Sequence, residues 1–391
     1  MLLFLNTALW ISFAGLSVFV GYWMLLAIAG RIHRIDVPTP TRRLRRIAVL
    51  IPAYQEDAVI VDTARRALLQ DYPAPLYEVV VIADGLQPKT MTALHALPIT
   101  VVPVQFAQST KAKALRHALA ALSTTTFDLA VVLDADNVMA KGFLDYINAA
   151  FEDGATVVQG QRIAKNDATT FAWLDAASEA INNHLFRQGQ YALGCSASLI
   201  GSGMAFNYVY FRSLMRSLDA VGGFDKALEL RLLSHNQRIH YLPAAKVYDE
   251  KVQRSSVFLK QRTRWLAAQL HYGRESLAAS LRLTLQRRSA DAFTRALQLV
   301  QPPRLLMLGL LPAGAAIATF VQGMIGFFAW TGLFTVLIGT LLLSLPRSFY
   351  SRRLVYAMAH LPWSLGLMLL ALLRSPFSNR TFLHTPHEVT A

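Results

Sequence analysis

The sequence predicts an α/β fold, a mostly parallel sheet with helices on both faces, framed at each end by membrane-spanning helices. Three observations predict it. Short apolar runs alternate with helically spaced segments through the middle of the chain. Long uncharged stretches lie at both ends. Polar residues gather where the apolar runs stop, which is where such sheets bind ligands.

The composition fits a globular part with apolar spans added. Of 391 residues, 54% are hydrophobic and 16% charged, against about 25% charged in a typical soluble domain. The formal net charge is +14. Nucleic-acid binding would explain such a charge. Cytoplasmic segments beside membrane spans explain it better here, so no nucleic-acid partner is expected. Cys195 is the one cysteine, so no intramolecular disulfide is possible and nothing points to an oxidising compartment.

The first 30 residues form the expected anchor. Leu2 to Ala29 carry no charge, and a cleaved signal would begin with a basic stretch. The segment 31–46 follows with Arg31, Arg34, Arg42, Arg43, Arg45 and Arg46, which places that side in the cytoplasm. Residues 47–254 read as the globular domain. Its strands are Ile47–Ile51, Val79–Ile82, Thr100–Val104 and Leu129–Leu133, with helical spacing over Val59–Leu69 and Thr110–Leu122. Residues 255–303 read as amphipathic interfacial helices, ended by Pro302–Pro303. About three spans are expected over 304–374, at Leu305–Val321, Met324–Leu345 and Leu354–Leu373, then a tail, 375–391, containing His384–His387.

No G-x-G-x-x-G follows the first strand and no P-loop occurs, which argues against dinucleotide dehydrogenases and P-loop NTPases. Asp134–Ala135–Asp136 follows a Val-Val-Leu strand. Two carboxylates one residue apart at a strand end can reach one hard cation, Mg²⁺ or Mn²⁺, bridging a diphosphate; Asp pairs also cap turns. Asp84, before Gly85, is placed either to accept hydrogen bonds from a nucleoside or to make a turn. Gln261–Arg262–Thr263–Arg264–Trp265 offers forked donors for phosphate and a stacking face, and equally suits a basic helix on the lipid interface. Asp225 sits at a helix start, as an N-cap or as a base for an acceptor hydroxyl, with Glu229 one turn later as the reserve. Tyr248, Asp249 and Glu250 form an acidic spot before the basic helix, read as a solvated strand end ahead of one that faces the acceptor.

Together these residues resemble the membrane-embedded family 2 glycosyltransferases, which include cellulose, hyaluronan and poly-N-acetylglucosamine synthases and ceramide glucosyltransferases. The resemblance covers about Ala48 to Gln269 and implies a GT-A-like fold. Val49–Glu56 looks like that family's first strand and nucleotide loop, which makes Pro52, Tyr54 and Glu56 donor-binding candidates. Asp84 matches its nucleotide-contacting aspartate, and Lys111 its lysine near the donor. Asp134 and Asp136 match its metal-binding D-x-D. Gln261, Arg264 and Trp265 match its Q-x-x-R-W, with Trp265 toward the acceptor. Gly203, in Gly201–Ser202–Gly203, falls in its acceptor-side loop but lacks the family's following arginines. Ala83 replaces a second aspartate before Asp84. The family's Thr-Glu-Asp is altered. Aligned through Leu230–Arg231–Leu232 and Tyr241–Leu242–Pro243, Asp225 takes the base position; aligned through Leu228–Glu229–Leu230, Ala227 would.

The resemblance implies an inverting enzyme of the bacterial inner membrane, with its catalytic domain in the cytoplasm. It would use a nucleotide-sugar, a UDP-sugar above all, with Mg²⁺ or Mn²⁺. The expected product is a polysaccharide or glycan; single transfer to a lipid is the alternative. A non-catalytic domain that binds a nucleotide-sugar or a partner subunit is the reading from another class.

Overall fold

A computed structural model describes residues 1–39, 41, 43–220 and 222–375. Arg42 and the tail residues His384–His387 lie outside the described residues.

The chain opens with α1 (Leu2–Ile32) and enters the sheet at β1 (Ile47–Tyr54). Then come α2 (Ile60–Ala67), β2 (Tyr77–Asp84), α3 (Pro88–His95), β3 (Thr100–Val104), α4 (Lys111–Ala121) and β4 (Leu129–Val132). The four expected strands are thus present, joined by helices. The second half holds β5 (Val138–Met139), α5 (Phe143–Glu152), β6 (Val157–Ala164) and α6 (Thr170–Asn183). Helix α6 runs through a π-helical turn, His184–Gly189, into α7 (Gln190–Ala192). It continues with β7 (Met204–Asn207), α8 (Tyr208–Met215), α9 (Phe224–Ser234) and β8 (His240–Asp249).

The strands make one eight-stranded sheet in the order β3-β2-β1-β4-β7-β6-β8-β5. The first four are parallel, and β6 and β8 pair in parallel; β7 and β5 run antiparallel to their neighbours. Alternate strand residues feed two cores, as a pleated strand buried on both faces must. Ala48, Leu50, Val80 and Ile82 pack with Leu115 of α4 and Phe211 of α8. Ile47, Val49, Ile51 and Val81 pack with Ile60 of α2, Leu94 of α3 and Ile147 of α5. The sheet is therefore covered on both faces.

Among the described residues, two helices are long and apolar enough to cross a membrane, Leu2–Ile32 and α12 (Arg304–Ser344). Before α12 lie α10 (Ser255–Arg287) and α11 (Ala290–Val300). Helix α12 is broken at Gly323, whose φ of 66° and ψ of −155° leave the helical region. A Cβ on Gly314 would lie 2.2 Å from the Trp330 ring, so the two arms fold back on each other. Each arm has about 20 residues, near 30 Å of helix, enough for a bilayer core. Helix α1 runs along the hairpin. Gln322 Nε2 donates to Asn6 Oδ1 at 3.0 Å at one end, and Arg31 Nε to the Leu343 carbonyl at 2.7 Å at the other. In place of a straight third C-terminal helix there is a pair, α13 (Arg352–Ala359) and α14 (Leu361–Arg374), bent by 49°. Ala357 of α13 packs with Trp173 of α6, and Met368 of α14 with Leu266 of α10 and Leu306 of α12.

The anchor docks on the globular domain through the π-helical turn. A Cβ on Gly189 would come 2.3 Å from the Leu26 carbonyl oxygen, and His184 Nε2 lies 2.9 Å from the Ala27 carbonyl. Gly189 has helical φ (−65°), so only the close approach demands glycine. Gly189→Ala is expected to destabilise the protein by about 1–3 kcal/mol through overpacking. Gly21→Ala, with nothing near its Cβ, should be neutral or slightly stabilising. Thermal unfolding of both variants in one detergent checks this; equal transitions would show that the approach has no cost.

Candidate active site

Strand register assembles the site. Tyr54 of β1 stands beside Asp84 of β2, and β4 pairs with the start of β1, so the carboxyl ends of all three strands open onto one cavity of about 540 Å³. Pro52 and Tyr54 line it from β1, Glu56 from the loop after it, Asp84 from β2, Lys111 from α4, and Asp134 and Asp136 from the loop after β4. Asp225 enters from the first turn of α9; Gln261, Arg264 and Trp265 enter from α10. Gly203 does not line it. It lies at a φ of 62° before β7, where a Cβ would come 2.9 Å from Val247, and its carbonyl accepts the Gly160 amide at 2.8 Å. Its requirement for glycine belongs to the sheet. Gly201, two residues earlier, reaches the cavity.

Lys111 Nζ pairs with Asp134 and donates to the Gly201 carbonyl at 2.7 Å. Asp134, Asp136 and Lys111 thus form one charged group above the sheet. Hard carboxylate oxygens already balanced by an ammonium suit Mg²⁺ or Mn²⁺ with a diphosphate. Burial pushes the Asp84 carboxyl above its ordinary range, and a hydrogen bond with Ser109 partly opposes this. Burial also lowers the Arg264 guanidinium, against the nearby Asp134 and Asp225 charges. Arg264 thus lines the same cavity as Asp134 and Asp225 and feels both charges.

Helix α9 separates Asp225 from Glu229. Gly223, at a φ of 65°, begins the helix; a Cβ there would lie 2.8 Å from Tyr272 and 3.1 Å from Ala268 of α10. This seat turns Asp225 into the cavity. Glu229 is 6% exposed. Its carboxylate accepts the Leu199 amide at 2.6 Å and pairs with Arg295 of α11. Those bonds give the reserve candidate a structural role. Trp265 is 38% exposed, with the Arg262 guanidinium 4.3 Å from its ring centre. Arg262 is in turn bound to Asp175 of α6.

The far wall is a buried ion cluster that sequence reasoning missed. Glu179 of α6 binds Arg162 of β6 at 2.8 Å and Arg187 of the π-helical turn at 3.1 Å. Lys251 binds Asp249, the last residue of β8, at 2.6 Å and lies 3.8 Å from Glu179. Asp249 is thus a buried ion partner rather than part of a solvated strand end. Burial pushes the Glu179 and Asp249 carboxyls up, but Arg162 and Lys251, with Arg187 beside Glu179, hold both below the usual carboxylate range. Against its own burial penalty, Arg162 is held charged well above its usual value. An acid four residues from the end of α6 and an arginine inside a strand carry no motif, and both stand among other polar residues, so the sequence offered no local signal for the cluster.

Known proteins resemble this chain in sequence and fold. The sequence model of the family described as glycosyltransferase-like family 2 matches residues 45–268. A probable glycosyltransferase of Bacillus subtilis is 25% identical over 309 residues, 74% of this chain and 72% of that protein. A β-monoglucosyldiacylglycerol synthase of Synechocystis is 25% identical over 289 residues, 66% of this chain but 58% of that protein. A mannosyltransferase from Pyrobaculum calidifontis, solved with GDP-Man and Mn²⁺, shares the fold with a TM-score of 0.58 at 17% identity, over 97% of this chain and all of that one.

Glu179→Gln leaves three buried cations short of charge and is expected to cost about 3–5 kcal/mol. Both depressed carboxyls contribute stability that is present above their unfolded values, near pH 4, and lost as pH falls through the folded ones. Wild-type protein should therefore lose stability steeply below about pH 4, and Glu179→Gln less steeply. Unfolding followed from pH 7 to 3 measures both slopes; parallel curves would contradict the assignment.

Proposed function

The chain belongs to the family 2 glycosyltransferases, and from that premise we propose that it transfers one sugar from a nucleotide-sugar to a lipid acceptor at the membrane surface. The reach of the cavity carries this reading. Its lining includes Asp84 at the strand ends and also Gln301, which accepts from Trp23 Nε1 of α1 at 3.0 Å and lies three residues before α12. A headgroup at the bilayer surface would reach the Gln301 side without leaving the membrane. Beyond it, Trp23, Leu26, Met307, Leu311 and Trp330 pack into a buried cluster between α1 and both arms of α12. That packing favours a lipid acceptor over a polymer threaded through the spans. The synthase name of the Synechocystis relative points the same way. Polymer extension is the second reading, favoured by Gln261, Arg264 and Trp265 in their Q-x-x-R-W spacing.

In this reading the Asp225 carboxylate takes the proton of the acceptor hydroxyl, and the oxygen attacks the anomeric carbon with inversion. The bond to the diphosphate breaks, and its electron pair leaves with the nucleoside diphosphate. Lys111 and Arg264 face the charge that develops there. Asp134 and Asp136 would hold Mg²⁺ or Mn²⁺, which supplies further neutralisation of the diphosphate. Tyr54, Glu56 and Asp84 bind the nucleoside end, Pro52 shapes that loop, Gln261 with Arg264 binds the donor, and Trp265 faces the acceptor. Residues 47–254 form the catalytic domain on the cytoplasmic face, with 1–30 and 304–374 as its membrane part.

Protein in lipid nanodiscs, screened against nucleotide-sugars, is expected to release nucleoside diphosphate with one preferred donor. EDTA and Asp136→Asn should both abolish release. One shifted lipid species would support single transfer; a ladder would support polymer extension. Asp225→Asn should lower turnover by about 10²–10⁴-fold while donor affinity stays within about threefold of wild type. Retained turnover would remove Asp225 from the role of base.

A further inference from the structure

We propose that Asn137 is a positioning residue that aims the Asp134–Asp136 pair at a divalent cation by tying it to the buried ion cluster. This rests on the reading of that pair as a cation site.

Asn137 is 1% exposed and its side-chain amide is engaged at both ends. Nδ2 donates to Asp136 Oδ1 at 3.0 Å and to Asp249 Oδ1 at 3.0 Å. Oδ1 accepts from Ser202 Oγ, which itself accepts the Asp134 amide at 2.9 Å. The Asn137 amide closes the loop on the Asp134 carbonyl at 3.1 Å. One side chain thus fixes the backbone of Asp134 and one oxygen of Asp136. Its anchor is firm, because Val138 pairs with Tyr248 in the sheet and brings Asn137 opposite Asp249. Asp249 is held by Lys251 at 2.6 Å and lies 3.7 Å from Arg162.

The chemistry requires an amide. Asp136 and Asp249 are acceptors only, and lie close enough to share one NH₂ group. Two N–H donors on one nitrogen satisfy both carboxylates. An apolar side chain would remove the one donor that the two carboxylates share and with it the tie that holds Asp136 to Asp249. Groups that orient metal-binding carboxylates typically set metal affinity by about 10–100-fold.

The test is Mn²⁺ binding to the full chain in nanodiscs, read by the electron paramagnetic resonance of the free ion, with UDP or GDP present. Asn137→Leu, of similar size, and Asn137→Ala are each expected to weaken Mn²⁺ binding about 10–100-fold. Ser202→Ala, a milder change at the other end of the amide, should weaken it by a smaller factor. Saturating Mn²⁺ should restore turnover in all three, which damage to the fold would not allow. Mn²⁺ affinity within about threefold of wild type in the folded variants would overturn the proposal. So would turnover that saturating Mn²⁺ leaves low. Wild-type protein that takes up no Mn²⁺ would overturn the cation site and this proposal with it. Mn²⁺ binding that follows Asn137 in a protein that turns over no nucleotide-sugar would uphold the proposal and strike the reaction instead.

Discussion

The ion cluster of Arg162, Glu179, Arg187, Asp249 and Lys251 is the constraint on which the rest of the site depends. It joins a central strand, the α6 helix, the π-helical turn and the end of β8 at one buried point. Charges withdrawn from water persist only when each is paired, so the four segments cannot separate without large cost. A hydrophobic contact would tolerate sliding; a multi-centre ion cluster fixes direction as well as distance. The cluster therefore defines where the far wall of the cavity stands relative to the sheet, and through Asn137 it reaches Asp136.

The same cluster connects the site to the membrane. Arg187 lies within the π-helical turn whose Gly189 abuts the backbone of α1. Widening the helix by one residue per turn lets the segment present Arg187 to Glu179 and Gly189 to the anchor within three residues. Helix α11 performs a similar task on the other side. Asp291 accepts the Ser196 hydroxyl at 2.8 Å, Gln298 donates to Ser198 Oγ at 3.0 Å, and Arg295 pairs with Glu229. The cavity wall from Ser196 to Gly201 is thus clamped by a helix that leads directly into α12. The membrane part is accordingly a piece of the site's framework as well as an anchor.

What the sequence disclosed follows from how local each signal is. The four parallel strands were legible because strands buried on both faces read as apolar runs, and the D-x-D pair and Asp84 were legible because they close such runs. Gln261, Arg264 and Trp265 stood out by one-turn spacing on a single helix. Strands β6 to β8 were not read, since Val157–Ala164 carries Gln159, Gln161 and Arg162, polar residues that the cavity and the cluster use. Gly203 was misplaced because a left-handed glycine needed beside Val247 looks in sequence like one needed beside a ligand. Asp249 appeared solvated because Arg162 meets it only through the β6–β8 pairing, and nothing in the sequence marks Lys251, two residues on, as buried beside it. The break at Gly323 gives two arms where two spans were expected, while 352–374 divides at His360 and packs beneath the domain.

The two ends of the cavity are built on different principles, and this separates their chemistry. The strand end of the cavity rests on parallel strands in fixed register: Tyr54 and Asp84 cannot move relative to one another without breaking ladder hydrogen bonds, and Asp134, two residues after β4, has its amide held by Ser202 Oγ. The opposite wall rests on side-chain contacts between helices, where Gly223 packs on Tyr272, Arg262 on Trp265 and Arg295 on Glu229. Sequence change in α9 to α11 can therefore reshape that wall while the strand ends keep their geometry. Thr-Glu-Asp is altered on α9, and no arginine pair follows Gly201–Ser202–Gly203, whereas the D-x-D pair is intact. The change on α9 thus falls where the fold tolerates it, away from the strand ends.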